Sequence, residues 1–309
     1  MIVTLAGGVG AARFLKGLCL VKPPRDLIAV INTADDTVLH GLHISPDIDT
    51  VTYSLAGVDN PETGWGLSEE NWKVMESLDF LGGITWFQLG DKDLGTHLYR
   101  TSRLAEGSSL TAVTSEIASR FKIETRLLPM TDDRVSTFVT LADNGEEISF
   151  QEYFVKFRHS VAISDIRFDG AENSRPGSDV IESILNAEKI MIAPSNPLVS
   201  IGPILAVSEI LSAVQSRRES TVAISPIVGG LALKGPADRM MRELGHESSV
   251  VGIAHLYKDL AATLVIDNAD VEHQEAIEAL GMRCVVADTV MSSPTISASL
   301  ASTVLNLES

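Results

Sequence analysis

Apolar and polar residues alternate along the chain in blocks with two different periods. Short runs rich in β-branched residues, IVTL from Ile2, LIAVIN from Leu27 and TWFQL from Thr85, are each followed by helical spacing: to about Leu20, from near Ser45, and through His97 and Arg100. The pattern resumes with KIMIAPSN from Lys189, TVAISPI from Thr221, TLVID from Thr263 and RCVVAD from Arg283. Strands buried on both faces read as continuous apolar runs, so the alternation predicts βαβ units. The expected fold is α/β, a Rossmann-like three-layer arrangement of a parallel sheet with helices on both faces. Between about 124 and 170 the rhythm changes to four strand-like runs, RLLPM, STFVTLA, ISFQEYFV and VAISDIRF, with a turn at Asn144 and Gly145. The expected organisation is a core of residues 1–123 and 171–309 with a β-rich insert, 124–170, folded over the ligand edge of the sheet. A last helix, around Pro294 to Leu307, carries Ile296, Leu300 and Val304 at a spacing of four, which is core packing.

Composition narrows the chemistry. With 309 residues, 45% of them hydrophobic, the chain can bury one large core. No apolar run approaches the roughly 20 residues that span a bilayer, and the N-terminus lacks the basic start of a signal peptide, so a cytoplasmic protein without a membrane partner is expected. The formal net charge of -17 opposes nucleic-acid binding. An anionic substrate therefore needs a divalent cation or a local cluster of donors. Cys19 and Cys284 lie in apolar elements and read as buried thiols, so any metal is expected on oxygen ligands.

In open α/β sheets the ligand lies beyond the carboxyl ends of the strands, which makes the residues after each strand the candidates. After the first come Gly7, Gly8 and Gly10, whose uncovered N–H groups at a helix N-terminus suit phosphate, or form only a tight turn. The turn fits neither nucleotide fingerprint. Counted from Gly8 and Gly10, G-x-G-x-x-G ends on Arg13, and G-x-x-x-x-G-K-[ST] does not occur. After the second strand, Asn32, Thr33, Ala34, Asp35 and Asp36 place two adjacent carboxylates where a ligand would lie. In the helix that follows, Ser45 reads as N-cap, Pro46 as the first position and Asp47 as a complement to the helix dipole. Two residues of helix turn a side chain by about 200°, so Asp49 points away from Asp47 and has no such structural explanation; it is the favoured functional carboxylate.

Residues 88–97 add Gln88, Asp91, Asp93 and His97, with Asp93 read as the cap of a helix that sets His97 and Arg100 on neighbouring faces. Ser195 and Asn196, in AlaProSerAsnPro, either cap the next helix or hold a nucleotide, and SerProIleValGlyGly (225–230) with LysGlyPro (234–236) repeats that pattern. No GxSxG elbow is present, which sets aside Ser-His-Asp chemistry. Polar, glycine-containing elements after at least five strands point to an extended pocket for a large phosphorylated ligand, with carboxylates for Mg²⁺.

The strings GlyGlyValGlyAlaAlaArgPheLeu, AsnThrAlaAspAsp, ProAspIleAspThr, GlyTrpGly, LeuGlyAspLysAspLeuGlyThrHis, LeuProMetThrAspAsp and AlaProSerAsnPro-x-x-SerIleGlyProIle run in the order of the CofD/FbiA family. The chain resembles that family from residue 1 to nearly 300, and its TrpPhe-x-LeuGlyAsp looks closer to the bacterial branch. The resemblance implies a 2-phospho-L-lactate or phosphoenolpyruvate transferase of coenzyme F420 biosynthesis. In that reaction the ribityl hydroxyl of the deazaflavin Fo attacks a guanosine diphosphate-linked donor and GMP leaves. It further implies Mg²⁺ on Asp35 and Asp49, Fo beside Asp49, Gln88, Asn32 and Thr33, nucleotide or phosphate at Gly7, Gly8, Gly10, Ser195 and Asn196, and a homodimer. Asp49 and Asp35 are the catalytic candidates. Where archaeal members often carry a lysine, Gln88 can hydrogen-bond the ring system but adds no charge. The donor acid, whether lactate, enolpyruvate or glycerate, is left open. A non-enzymatic nucleotide-sugar-binding regulator similar to YvcK is the alternative, but Asp36 is followed here by ThrValLeuHisGly rather than Gly-Gly-Ser-Ser. A Rossmann oxidoreductase fails at Arg13.

Overall fold

The computed structural model describes residues 1–307. The chain begins with β1 (Ile2–Ala6), α1 (Val9–Val21) and β2 (Leu27–Ile31), then forms a hairpin of β3 (Thr37–Leu39) and β4 (Leu42–Ile44). Four helices, α2 (Pro46–Ala56), α3 (Lys73–Phe80), α4 (Asp91–Ala105) and α5 (Leu110–Arg120), lead to β5 (Arg126–Pro129). A three-stranded antiparallel sheet of β6 (Ser136–Leu141), β7 (Glu147–Ser149) and β8 (Ile163–Asp169) precedes α6 (Val180–Leu185) and β9 (Lys189–Ile192). The remainder runs α7 (Gly202–Ala206), α8 (Ser208–Ser216), β10 (Thr221–Ile224), the short hairpin β11 (Ile227–Val228) and β12 (Leu231–Ala232), α9 (Ala237–Glu243) and α10 (Val250–Tyr257). It closes with β13 (Thr263–Asp267), α11 (Gln274–Ala279), β14 (Arg283–Ala287) and α12 (Pro294–Leu305).

Seven strands form one parallel sheet in the order β14-β13-β10-β9-β1-β2-β5. Chain progression therefore reverses direction between β1 and β9, and the crevice beyond the carboxyl ends of those two strands is where such sheets bind ligands. Alternate residues supply two cores: Val3, Leu5, Ile28 and Val30 on one face, Ile2, Ala6, Leu27, Ala29 and Ile31 on the other. Helices α1 and α12 cover the second face and approach closely at Gly17, where a Cβ would lie 2.4 Å from the Ser297 carbonyl oxygen. Among the described residues no single helix is long and apolar enough to cross a membrane. The apolar pair Pro197–Ala206 and Ser208–Ser216 is bent by 96° and buries Ile201, Ile204, Ile210 and Val214 in the core.

Three strand assignments differ from the sequence pattern. TWFQL is not a strand; Leu89 joins Ile44 and Met75 in a small separate core with Phe87 packed against it, which accounts for the apolar run. The third parallel strand is RLLP instead, grouped by its sequence with the insert, which pairs with β2 from Ile28 opposite Arg126 to Ile31 opposite Pro129. Pro129 is tolerated there because β5 is an edge strand. The run ISFQEYFV is a strand only to Ser149 and then turns helical over Glu152–Lys156. The turn is tied to the sheet where Gln151 Nε2 donates to the Asp35 carbonyl oxygen at 2.8 Å, and it leaves Phe150 and Phe154 stacked at 5.4 Å.

Candidate active site

At the reversal point the loops after β1 and β9 touch. Gly7 N donates to Ser195 Oγ at 3.2 Å, and a Cβ on Gly10 would stand 2.1 Å from the Pro194 carbonyl oxygen. These glycines are thus demanded by chain packing whatever the ligand. Gly8 is the N-cap of α1 and offers no side-chain cap, so the unpaired N–H groups of that first turn are left to face the crevice. Asn196 resolves toward capping: its Oδ1 accepts from Leu198 N at 3.0 Å and Val199 N at 3.4 Å. Gly8, Gly10, Ser195 and Asn196 border a cavity of about 590 Å³, and Gly7 lies one residue behind it.

Two carboxylates share the cavity with the glycine turn. Asp35 is 6% exposed and its Oδ1 has no hydrogen-bond partner. Asp47 borders the same cavity, with Oδ1 2.8 Å from the place a Cβ on Gly8 would occupy and Oδ2 accepting from Asn32 Nδ2 at 3.0 Å. Burial, with the charges of Asp47 and Asp36, pushes the Asp35 carboxyl well above the usual range. Burial raises Asp47 to about 7, against the opposing bond from Asn32. Asp47 is therefore a cavity carboxylate as well as an acid in the first turn of α2, a second role that the dipole reading alone does not give it. Hard cations prefer such oxygen ligands. An orphaned buried oxygen on one of two mutually repelling acids is a donor set that fits Mg²⁺. Asn32, fully buried, also has its Oδ1 occupied by Ala34 N, and neither Asn32 nor Thr33 borders the cavity.

Asp49 reaches the cavity from the same first turn of α2, but both its oxygens are held by Arg100 of α4, Oδ2 at 3.1 Å and Oδ1 in a closer contact. Arg100 is fully buried and also donates to the His43 carbonyl oxygen at 3.3 Å. The network continues: His97 Nδ1 lies 3.7 Å from Asp49, His97 Nε2 lies 3.1 Å from Asp93, and Tyr53 Oη donates to Asp93 at 2.6 Å. Burial favours a protonated Asp93, yet His97 and Tyr53 hold its carboxyl below the ordinary value. Asp49, Asp93 and His97 place ligand atoms within 4.8 Å of one another, as a metal would need. The Arg100 guanidinium already supplies the cation there, which disfavours a second. The cap of α4 is not Asp93. Glu70 accepts from the backbone N–H of Lys92 at 2.9 Å and of Asp93 at 2.8 Å, closing the helix start from a distant loop. Ser45 does stand at the N-cap of α2, but its Oγ makes no capping bond and instead donates to Asp36 at 2.6 Å.

Cations and aromatic rings complete the wall. Arg13, Arg158 and Lys234 border the cavity, and none makes an ion pair among the described residues. Lys234 Nζ donates to the Thr63 carbonyl oxygen at 3.0 Å. Trp65, Trp86, Phe87, Phe150 and Phe154 supply ring faces and edges. Gln88 lines the cavity from an exposed loop, its Nε2 held on the Thr85 carbonyl oxygen at 2.7 Å. The sequence does not mark these rings as site residues: Trp86, Phe87, Phe150 and Phe154 sit in apolar runs that fit strands, and Trp65 stands alone in GlyTrpGly. Its one signal for Arg13 is the failed fingerprint.

Relatives agree with this architecture. A sequence profile described as 2-phospho-L-lactate transferase CofD matches residues 2–297. Phosphoenolpyruvate transferases of Streptomyces griseus and Streptomyces coelicolor are 43% and 41% identical, over 99% of this chain and 98% and 97% of theirs. That of Mycobacterium tuberculosis is 39% identical over 86% of each chain. Two crystal structures of a upf0052-family protein from Bacillus halodurans superpose with TM-scores of 0.65 and 0.66 at 15% and 17% identity, covering 99% of this chain and 98% and 99% of that one, a likeness of fold. The chain belongs to the CofD family.

Proposed function

We propose that this CofD-family chain transfers a phosphoenolpyruvyl or phospholactyl group from a guanosine diphosphate-linked donor to the ribityl hydroxyl of Fo, releasing GMP, in coenzyme F420 biosynthesis. Whole-length likeness to phosphoenolpyruvate transferases supports the enolpyruvyl form. The observation that carries the reading is Asp47 standing against Gly8 of the open turn, with Asp35 and Arg13 bordering the same cavity. Phosphoryl-type transfer depends on positioning and charge neutralisation more than on covalent catalysis.

The terminal oxygen of Fo forms a bond to the phosphorus that bears the three-carbon acid, the bridging P–O bond breaks toward GMP, and the hydroxyl proton leaves to solvent or a carboxylate. Backbone N–H groups of the Gly8–Gly10 turn hold donor phosphate oxygens, and Arg13 offsets their charge. Asp35 and Asp47 are the residues that would hold Mg²⁺, which when bound withdraws charge from the phosphates. The aromatic wall of Trp86, Phe87 and Phe150 suits a planar deazaflavin and excludes water from the reacting end. Asp49, clamped by Arg100, serves as a rigid acceptor for a polar group of Fo.

Purified protein incubated with Fo, Mg²⁺ and each of the lactyl, enolpyruvyl and glyceryl guanylylated donors should yield one Fo adduct, whose mass identifies the acid. Failure to form an adduct with any of the three overturns the proposal.

A further inference from the structure

Two loops meet across the cavity beside α1. One, following α2, carries Thr63, Gly64 and Trp65; the other, following β12, carries Leu233, Lys234 and Gly235. The first is anchored at its root, and the hairpin that carries the second is anchored at its turn. Asp59 binds Lys16 of α1 at 2.9 Å and Asp59 bridges to Leu67, while Gly229 N donates to both oxygens of the buried Asp270 at 3.1 and 3.0 Å. Their tips are joined by the bond from Lys234 Nζ to the Thr63 carbonyl oxygen, 3.0 Å long. Gly64 sits in this junction with φ +78°; a Cβ there would stand 2.9 Å from Val9 and 3.4 Å from Lys234 Nζ. A larger residue would push the tips apart.

The lysine is set up for more than this bond. An ammonium has three N–H donors, and Thr63 takes one. Arg13 is its cationic neighbour, and burial together with that charge lowers the lysine pKa. Neither Arg13 nor Lys234 has an ion-pair partner among the described residues, in a chain of net charge -17. Two cations on the wall of one cavity without a counter-ion repel each other, and a polyanion between them removes the repulsion.

We propose that Lys234 is a clasp closed by pyrophosphate: with Arg13 it binds the diphosphate of a guanosine nucleotide while keeping its bond to Thr63, and so draws the Trp65 loop over the cavity. The inference rests on reading the donor as a substituted guanosine diphosphate. Lys234 touches the donor diphosphate and acts on the acceptor side only through that loop.

The test uses GDP as probe, with guanosine as control, and reads hydrogen–deuterium exchange of residues 58–67 alongside calorimetric affinity. In the unmodified protein GDP slows exchange in that loop and guanosine does not. Lys234→Ala weakens GDP binding roughly tenfold or more and abolishes the protection. Lys234→Gln keeps a donor for Thr63 without the charge and behaves like Lys234→Ala, whereas Lys234→Arg retains both effects. If GDP binds normally to Lys234→Ala, or still protects residues 58–67 in it, the clasp is overturned and the donor reading stands. If the unmodified protein does not bind GDP, the donor reading falls and the clasp with it.

Discussion

Asp49 and Arg100 form a buried pair in which one carboxylate, though it faces the cavity, has both oxygens engaged by one guanidinium. Breaking such a pair strands a charge in the interior and typically costs about 3–5 kcal/mol. Arg100→Met is therefore expected to lower unfolding stability by that much in a urea titration, and Asp49→Asn to lose stability as well as turnover. An unchanged urea midpoint for Arg100→Met would show that water reaches Asp49 and that the pair is not a structural element.

Asp47 predicts the opposite balance. Its buried charge repels Asp35 and costs more than the bond from Asn32 returns, so Asp47→Asn should leave the metal-free melting temperature unchanged or higher. Turnover should fall by about a hundredfold or more, with Mg²⁺ affinity lost in a titration. Full activity in Asp47→Asn would remove it from the site.

The same carboxyl gives a pH signature. In the folded chain Asp47 titrates at about 7, above its usual value of 3.8. A raised carboxyl pKa contributes stability at pH values below the unfolded value and loses it as pH rises through the folded one. The metal-free protein should thus lose stability between about pH 4 and pH 7. Mg²⁺, which takes the ionised form, should restore most at the upper end. Melting curves from pH 5 to 8 with and without Mg²⁺ check this, and Asp47→Asn should flatten the difference.

Gly10 and Gly17 both abut a carbonyl oxygen, which would stand 2.1 Å and 2.4 Å from a Cβ at each position, but only Gly10 borders the cavity. Gly10→Ala should weaken GDP binding as well as stability. Gly17→Ala should cost about 1–3 kcal/mol by forcing α1 from α12, with the KM for the donor unchanged. Equal effects on KM would mean that the crevice is set by the helix pair rather than by the β1 turn.

Much of the parallel sheet was legible because its strands are continuous apolar runs that end in small or polar residues. The exceptions have one cause: an apolar run shows that side chains are buried, not what buries them. TWFQL packs on Ile44 and the cavity, and RLLP finds an edge beside β2. At the site, local helix logic separated Asp47 from Asp49 correctly in angle but could not assign their partners. Asn32 and Gly8 meet Asp47 across 15 and 39 residues, and Arg100 meets Asp49 across 51. Contacts of that range have no periodicity to read. Glu70 closing α4 is invisible for the same reason.

The cavity wall begins at Gly8 and is finished by Thr289 and Met291, just ahead of α12. Its two ends come from residues 8 and 291, so the complete wall exists only once β1 and β14 have folded into one sheet. Ligand binding energy adds to the stability of that complete fold, and a chain truncated before residue 289 is expected to gain less melting temperature from ligand than the full chain.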